Sequence, residues 1–237
     1  MSEWWSYRPS DFALFSGRVY HRLFELHNAA VWPAHMLAAA LGVLILFLLA
    51  WRPAGARRIV PAALGILWLW VAWTFFWRSY ATINWAAVYV APAAMLEGLL
   101  LVWLAAQGSL TFHRPDGIPG FAALLLFAAS VLVYPLAAIA TGRPWRSAEL
   151  FGIAPDPTAL ATLAALALAT GRARWAASIV PAVWSVLSAA TLWAIGAGWP
   201  LLPVLGAALA LCFAAGGWRR RVRSAAGLNG RELFPSD

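Results

Sequence analysis

The 237-residue sequence contains no lysine, a single cysteine and few charged residues of either sign. Without lysine, no retinal or other Schiff base can form on this chain. Cys212 cannot form an internal disulfide, and there is no Cys-x-x-Cys pair or Cys/His cluster of the kind that binds zinc. Gly-rich nucleotide loops and the common hydrolase motifs are also missing. We therefore predict that the protein is not an enzyme and carries no cofactor.

Apolar residues dominate what is present. The chain is 63% hydrophobic and 11% charged, whereas a soluble domain has roughly 25% charged residues. This composition predicts an all-α, polytopic membrane helix bundle. Apolar runs between polar breaks predict about seven transmembrane helices, at roughly 29–51, 59–77, 84–106, 119–141, 157–171, 175–197 and 199–218. The fifth run is short and rich in alanine, so it could be tilted, re-entrant or buried among its neighbours.

Arginine placement predicts the orientation of this bundle. The seven runs divide the chain into an amphipathic interfacial segment (1–27), a transmembrane domain (28–218) and a basic tail (219–237). One side of the arrangement holds 11 arginines and the other holds 6. The positive-inside rule places the C-terminus in the cytoplasm and the N-terminus outside, in a bacterial inner membrane. Since topology accounts for the net charge of +8, we expect no nucleic-acid partner.

Glu97 is the only acidic residue within a predicted span, and it lies near the middle of that span. Intramembrane carboxyl groups usually face protein or water. Glu97 could be a protonated structural donor, a proton carrier or cation site, or the partner of an arginine, although no predicted span contains one. At about 1.5 Å per residue, Ser130 and Ser185 lie level with Glu97, so these three side chains could meet.

A second polar group lies nearer the outer flank: His35, Asn84, Tyr89, Tyr134 and Asp156. We predict that these residues line an outer vestibule that leads toward Glu97. His35 lies about 10 Å shallower than Glu97, so a direct bond between them is not expected. His35 could titrate, bind substrate or make a structural hydrogen bond, and it could bind a metal ion together with His27 only if the helix breaks at Pro33. Haem ligation would need a second histidine inside another span, and there is none.

Tryptophan is abundant, with 16 residues. Amphipathic rings favour the headgroup region, and seven of these residues fall at predicted span ends: Trp51, Trp77, Trp85, Trp103, Trp175, Trp199 and Trp218. Trp68, Trp70 and Trp73 lie deeper, in the second predicted span. They are either core residues or contacts with lipid or a partner. The partners we expect are the lipid bilayer and, beyond it, a second copy of the chain or a larger membrane complex.

Four stretches together resemble an uncharacterised family of bacterial multi-pass membrane proteins: Phe24–Ala34, Ile83–Ala87, Val133–Leu136 and Phe151–Thr158. The resemblance spans most of residues 20–170 and implies a membrane fold but no established activity, although some members are loosely labelled permeases. In that family a cysteine is expected where this chain has Asp156. If that cysteine serves metal or redox chemistry in relatives, this chain has either lost that role or replaced the cysteine with an oxygen ligand. Glutamine is often expected at the position of Glu97, which argues against an obligatory proton carrier there.

Two functions fit these observations. The first is a small permease or channel-like protein for a small solute, a metal ion or a proton, in which the outer vestibule leads to Glu97. A hydrated path from Asp156 to Glu97 would favour it, and a dry, tightly packed interior would count against it. The alternative is a non-catalytic accessory or scaffold subunit of a larger bacterial membrane complex, such as a respiratory, photosynthetic or transport complex. Short loops and abundant tryptophan suit this alternative.

Overall fold

The computed structural model describes residues 14–216, and most of these residues are helical. The α-helices of this part are α1 (Gly17–Ala30), α2 (Ala34–Trp51), α3 (Ala56–Val71), α4 (Ala87–Gln107), α5 (Gly117–Leu132), α6 (Leu136–Ala140), α7 (Pro155–Leu168), α8 (Ala173–Ala177), α9 (Ile179–Ala194) and α10 (Leu202–Gly216). Shorter elements are a π-helix (Ala72–Trp77) that continues α3, 3-10 turns at Tyr80–Thr82 and Trp145–Ser147, and the strands β1 (Thr111–Phe112) and β2 (Ala169–Thr170). Part of the predicted interfacial segment and the whole basic tail lie outside the described residues.

Within residues 14–216, four helices are long and apolar enough to cross a membrane. They are α2, α3 with its continuation to Thr82, α4, and α8 with α9. A fifth is present if α5 and the stretch Tyr134–Ala140, which are bent by 51° from each other, form one broken span. The helical fold and several membrane-length helices thus agree with the predicted class, whereas lengths alone support four or five spans and not seven.

The bend after α5 follows from Pro135. Proline has no N–H to donate to the preceding turn, and it disfavours helical backbone at the residue before it. The run predicted as a single helix over 119–141 is therefore broken at Val133–Pro135. This break turns Tyr134 toward the start of α7, where its hydroxyl reaches Asp156.

α7 is the central helix of the bundle, and all 14 of its residues are buried. It packs against α5 and α9, with further contacts to α3. Its alanines let the neighbouring helices approach closely, as small residues do in membrane bundles. Of the three arrangements predicted for the run 157–171, the structure has the one buried among its neighbours.

One end of the bundle is held together by the short strands and by one arginine. β1, between α4 and α5, pairs antiparallel with β2, between α7 and α8, so that Thr111 lies opposite Thr170. Arg174 donates to the backbone oxygens of Ala169 (2.7 Å) and Ala214 (3.2 Å). The ends of α4, α7 and α10 and the start of α5 therefore lie together.

The other ends of these helices form a second group. Asn28, near the end of α1, donates to the backbone oxygens of Arg146 and Ala148, both at 2.9 Å. The ring of His27 lies 3.0 Å from the hydroxyl of Ser79, just after the π-helix. The end of α1, the segment before α4 and the segment before α7 are thus neighbours. Consequently α4, the α5–α6 pair and α7 each run from one group of loops to the other.

Helices α3 and α4 cross at two glycines. A Cβ atom added to Gly65 would lie 2.7 Å from the backbone oxygen of Gly98, and one added to Gly98 would lie 2.8 Å from the backbone oxygen of Gly65. Such distances leave no room for a side chain. The glycines therefore let the two backbones touch, as small residues do where membrane helices cross.

Candidate functional site

Glu97 is buried in α4 at 1% exposure, and neither of its carboxyl oxygens has a hydrogen-bond partner within residues 14–216. Ser130 donates instead to Leu126 O, and Ser185 donates to Pro181 O, both at 2.8 Å. The predicted meeting of Glu97 with these serines is therefore wrong as a hydrogen-bonded cluster, because each hydroxyl is used within its own helix. Equal depth in the bilayer does not establish contact.

The outer polar group does not form one vestibule. Asn84 donates to the hydroxyl of Tyr80 (2.7 Å) and accepts from the backbone N–H of Ala86 (2.9 Å), so it fixes the turn before α4. Tyr89 is 71% exposed on the surface of α4, where its ring contacts Trp85. The shared vestibule that we predicted from depth is thus wrong for Asn84 and Tyr89.

Tyr134 and Asp156, in contrast, do come together. Asp156 is 1% exposed in the first turn of α7, where the helix dipole favours a negative charge. Its carboxylate accepts hydrogen bonds from Trp184 Nε1 (2.7 Å), the Ser188 hydroxyl (2.6 Å) and the Tyr134 hydroxyl (3.3 Å). Trp184 and Ser188 are one turn apart on α9, so one face of that helix supplies two of the three donors.

The local sequence explains why α7 starts here. Pro155 begins the helix, where the absence of its N–H does no harm. Thr158 accepts from Gly152 N (2.8 Å) and donates to Ala154 O (2.7 Å), which closes the turn before the helix. Gly152 has a φ of 73°, a left-handed conformation that favours glycine. These contacts fix the position of Asp156 from the loop side.

Trp68 belongs to this interior. It is fully buried, and its Nε1 donates to Thr162 in the middle of α7 at 2.9 Å. Of the two alternatives that we predicted for Trp68, a core residue or a contact with lipid or a partner, the structure has the core residue, because its indole packs against the central helix. Trp70 and Trp73 are 40% and 50% exposed, so they remain available at the surface.

Glu149 and Arg143 form a largely buried ion pair near Asp156, and neither residue is among the site residues predicted from the sequence. Arg143 Nη1 lies 3.1 Å from Glu149 Oε1, and Arg143 Nε donates to the Thr141 hydroxyl at 3.0 Å. The second oxygen, Glu149 Oε2, is buried with no hydrogen-bond partner in the described part of the chain. Burial, together with the charge of Asp156, raises the pKa of Glu149 to about 7, against the opposing effect of Arg143.

A small cavity of about 50 Å³ lies beside this ion pair. We call it the polar cavity; its walls are His21, Tyr134, Ala137, Thr141, Arg143, Glu149, Leu192, Ala197, Gly198, Trp199 and Leu202. A water molecule needs roughly 10–15 Å³ of such space, so the cavity can hold a few waters or one small solute. Within residues 14–216, no group of three or more His, Cys, Asp or Glu side chains is placed to hold a metal ion.

His35 lines a different cavity, of about 580 Å³, which we call the Asn28 cavity. Its walls are Glu25, Asn28, Ala29, Trp32, His35, Trp145, Arg146 and Leu150. It shares no lining residue with the polar cavity. The structure thus separates His35 from Tyr134 and Asp156, with which we had grouped it.

Comparison with known proteins gives a family but no activity. Residues 18–223 match the model of DUF6064, which is described as a family of unknown function. A search of the curated proteins finds no match, and a search of the solved structures finds none either. The match confirms the resemblance to an uncharacterised family, and it covers both cavities.

Proposed function

The chain belongs to DUF6064, a family of unknown function, and from its site we propose that it is a small membrane permease that binds solute in the polar cavity. The observation that carries this proposal is Glu149, a buried carboxylate that lines the cavity and uses only one oxygen in its pair with Arg143. A buried acceptor without a partner is unfavourable. A solute that donates a hydrogen bond there would remove that penalty.

Charge favours a cation or a neutral donor as this solute. When all three groups are ionised, Glu149 and Asp156 outweigh Arg143 by one negative charge, and all three are shielded from water. An anion in the cavity would be repelled in this setting. Because Glu149 has a pKa raised to about 7, a bound cation would favour its ionised form and release a proton.

This proposal replaces the route through Glu97. Glu97 lines neither the polar cavity nor the Asn28 cavity. Below Asp156, α7 is buried on every side, and the hydroxyls of Thr158 and Thr162 are engaged in hydrogen bonds. A packed interior of this kind counts against an open channel. It is compatible with an occluded site that opens by movement of helices.

We further propose seven membrane crossings, with the loop before α7 outside and the C-terminus in the cytoplasm of a bacterium. The β1–β2 pair supports this count, because α7 must carry the chain back to the end of the bundle from which α5 starts. At about 1.5 Å per residue α7 is roughly 21 Å long, shorter than a usual span. Because α7 is surrounded by other helices and does not contact lipid, its length does not need to match the thickness of the bilayer.

Binding of three small probes to the purified protein tests the proposal. Methylammonium, urea and acetate present a cation, a neutral donor and an anion to the site. We expect methylammonium, and more weakly urea, to raise the thermal unfolding midpoint, and acetate to leave it unchanged. Proteoliposomes should then take up radiolabelled methylammonium.

Glu149→Gln should abolish both effects of methylammonium. The matched control is Asp116→Asn, which removes an exposed carboxylate at the start of α5, in the other group of loops and in neither cavity. Equal binding and uptake by wild type and Glu149→Gln would contradict the proposed site.

A second candidate function, an accessory subunit, is favoured by one face of α3 and its continuation. Ile66, Trp70, Trp73 and Trp77 are all between 40% and 57% exposed and recur at helical spacing. Deep indole N–H groups gain no hydrogen bond from lipid tails, so a partner chain would suit them. Purification from the native host in mild detergent, with mass spectrometry, should then reveal a partner that Trp70→Ala loses and Trp193→Ala keeps. Recovery of this chain alone would count against the candidate.

A further inference from the structure

The Asn28 cavity has the features of a second binding site, independent of the polar cavity. We propose that it binds the headgroup of a phospholipid that carries a primary ammonium and a phosphate, as phosphatidylethanolamine does. This site does not depend on the proposed transport function.

The amide of Asn28 defines one half of the recognition. Its Nδ2 donates to the backbone oxygens of Arg146 and Ala148, which fixes the plane of the amide. Its Oδ1 is buried, with no hydrogen-bond partner among the residues that the structure describes. An amide oxygen only accepts hydrogen bonds, so the missing partner is an N–H or an O–H. A primary ammonium supplies such a donor, and a choline headgroup does not.

His35 adds a second polar atom without a partner. Its Nδ1 is buried, and no hydrogen-bond partner lies within the described segment 14–216. The ring is held beside Trp32, with 5.9 Å between the ring centroids. An imidazole nitrogen can donate or accept according to its tautomer, so His35 can serve either the ammonium or the phosphate.

The charges of the cavity suit a headgroup that carries both signs. Glu25 and Arg146 both line it. The ammonium would lie near Glu25 and Asn28, and the phosphate near Arg146. Trp32 and Trp145 are 66% and 53% exposed at its walls, and aromatic faces attract ammonium groups. Glu25 also pairs with Arg22. An anionic headgroup without an ammonium would bring a negative charge close to Glu25 and offer that carboxylate no second cation.

Position favours a lipid over a free solute. His35 is the second residue of α2, a helix of membrane length, so the cavity lies at the level where headgroups and interfacial tryptophans are found. Its walls include exposed tryptophans, so it opens to the surface. Its volume of about 580 Å³ falls within the usual range for ligand sites.

Lipid retention by the full-length protein tests this assignment. The protein is reconstituted with equal amounts of phosphatidylethanolamine, phosphatidylcholine and phosphatidylglycerol, extracted in mild detergent and analysed by native mass spectrometry. We expect phosphatidylethanolamine to be retained roughly tenfold over the other two, the ratio that one charge-assisted hydrogen bond provides. A photoactivatable phosphatidylethanolamine should cross-link to α1 and to residues 145–150. Equal retention of the three lipids, or cross-links confined to other helices, would overturn the proposal.

Variants separate the two halves of the headgroup. Glu25→Gln and Asn28→Ser should remove the preference for phosphatidylethanolamine over phosphatidylcholine, whereas Arg146→Gln should lower retention of both. Arg18→Gln, at an exposed position of α1, is the control and should behave as wild type. Because Asn28 also holds the loop, Glu25→Gln keeps the test decisive if Asn28→Ser fails to fold. Undiminished preference in Glu25→Gln, or equal affinity for soluble O-phosphoethanolamine, would overturn the assignment to a lipid.

Discussion

Asp156 depends on donors from two other helical segments for its place in the interior. Trp184, Ser188 and Tyr134 all donate to its carboxylate, and the bond from Trp184 is 2.7 Å long. Trp184→Phe keeps most of the ring packing but deletes this donor. We expect the free energy of unfolding to fall by about 1–3 kcal/mol, the usual effect of removing a hydrogen bond from a buried charged group.

Thermal or denaturant unfolding in detergent measures this change. Trp193→Phe on the same helix is the control, since Trp193 is 62% exposed and should tolerate the substitution. A Trp184→Phe protein as stable as this control would show that Asp156 does not need the indole donor.

His27 should make folding sensitive to acid. Burial lowers the pKa of His27 to about 4, outweighing the hydrogen bond to the backbone of Ile153, which acts in the other direction. The folded state therefore binds fewer protons than the unfolded state, whose histidine has an ordinary pKa near 6.5. The contribution of His27 to the free energy of unfolding is fully present above about pH 6.5 and is lost as the pH falls toward 4. The loss between about pH 8 and about pH 5 should be roughly 2 kcal/mol.

Unfolding midpoints of wild type and His27→Gln across this range isolate the effect. His21, whose pKa burial also lowers to about 4, contributes in the same direction in both proteins. Glu149 contributes in the opposite direction, because its raised pKa means that its stabilisation is lost as the pH rises toward 7. The variant should therefore show a smaller loss in acid than wild type. Parallel curves would contradict a role for His27.

At this scale the sequence predicts some contacts and misses others for a physical reason. Depth along the spans correctly brought Tyr134 and Asp156 together. Depth cannot report which way a side chain faces, so it also grouped Asn84 and Tyr89 with them. Glu149 was missed because it lies in a polar loop, and nothing in local hydropathy shows that this loop is covered by other helices.

At the scale of helices, the α3–α4 crossing depends on Gly65 and Gly98. Gly65→Ala would place a Cβ 2.7 Å from the backbone oxygen of Gly98, and a backbone atom cannot move aside as a flexible side chain does. We expect a loss of about 1–3 kcal/mol from overpacking. Helix propensity alone would favour alanine by about 1 kcal/mol, so a loss identifies the close approach as the cause.

Gly216→Ala is the matched control for this substitution. Its added Cβ would meet Pro119 at 3.8 Å, an ordinary contact. Each substitution should change the free energy of unfolding in detergent, and the two changes should differ in sign or clearly in size. Equal stability of the Gly65→Ala and Gly216→Ala proteins would mean that α3 and α4 can move apart at no cost in free energy.

Helix positions followed well from hydropathy, and helix shapes did not. The predicted run 175–197 corresponds to α8 with α9 over Ala173–Ala194. The run 119–141 is instead a bent pair, because apolar content continues through Pro135 although the helix does not. The surroundings of α7 could not be predicted either, since an alanine-rich run has the same hydropathy whether it faces lipid or protein.

At the scale of the whole molecule, the two groups of loops predict which residues share a side of the membrane. Arg78 and Arg172 are both exposed and lie in opposite groups. In a Cys212→Ser background, Arg78→Cys should react with a membrane-impermeant thiol reagent in right-side-out vesicles. Arg172→Cys should react only after the membrane is permeabilised. Reaction of both cysteines from outside would contradict seven crossings.

The central position of α7 has a consequence for the order of assembly during synthesis. Trp184 and Ser188 lie 28 and 32 residues after Asp156 in the chain, so two of its three donors emerge from the ribosome later than α7 does. Until α9 has been inserted, Asp156 at the start of α7 has only one of its three hydrogen-bond donors, Tyr134. The helix that carries it has no side that faces lipid. A nascent chain truncated before Trp184 should therefore be recognised as incomplete by membrane quality control, even though its earlier apolar helices are already inserted.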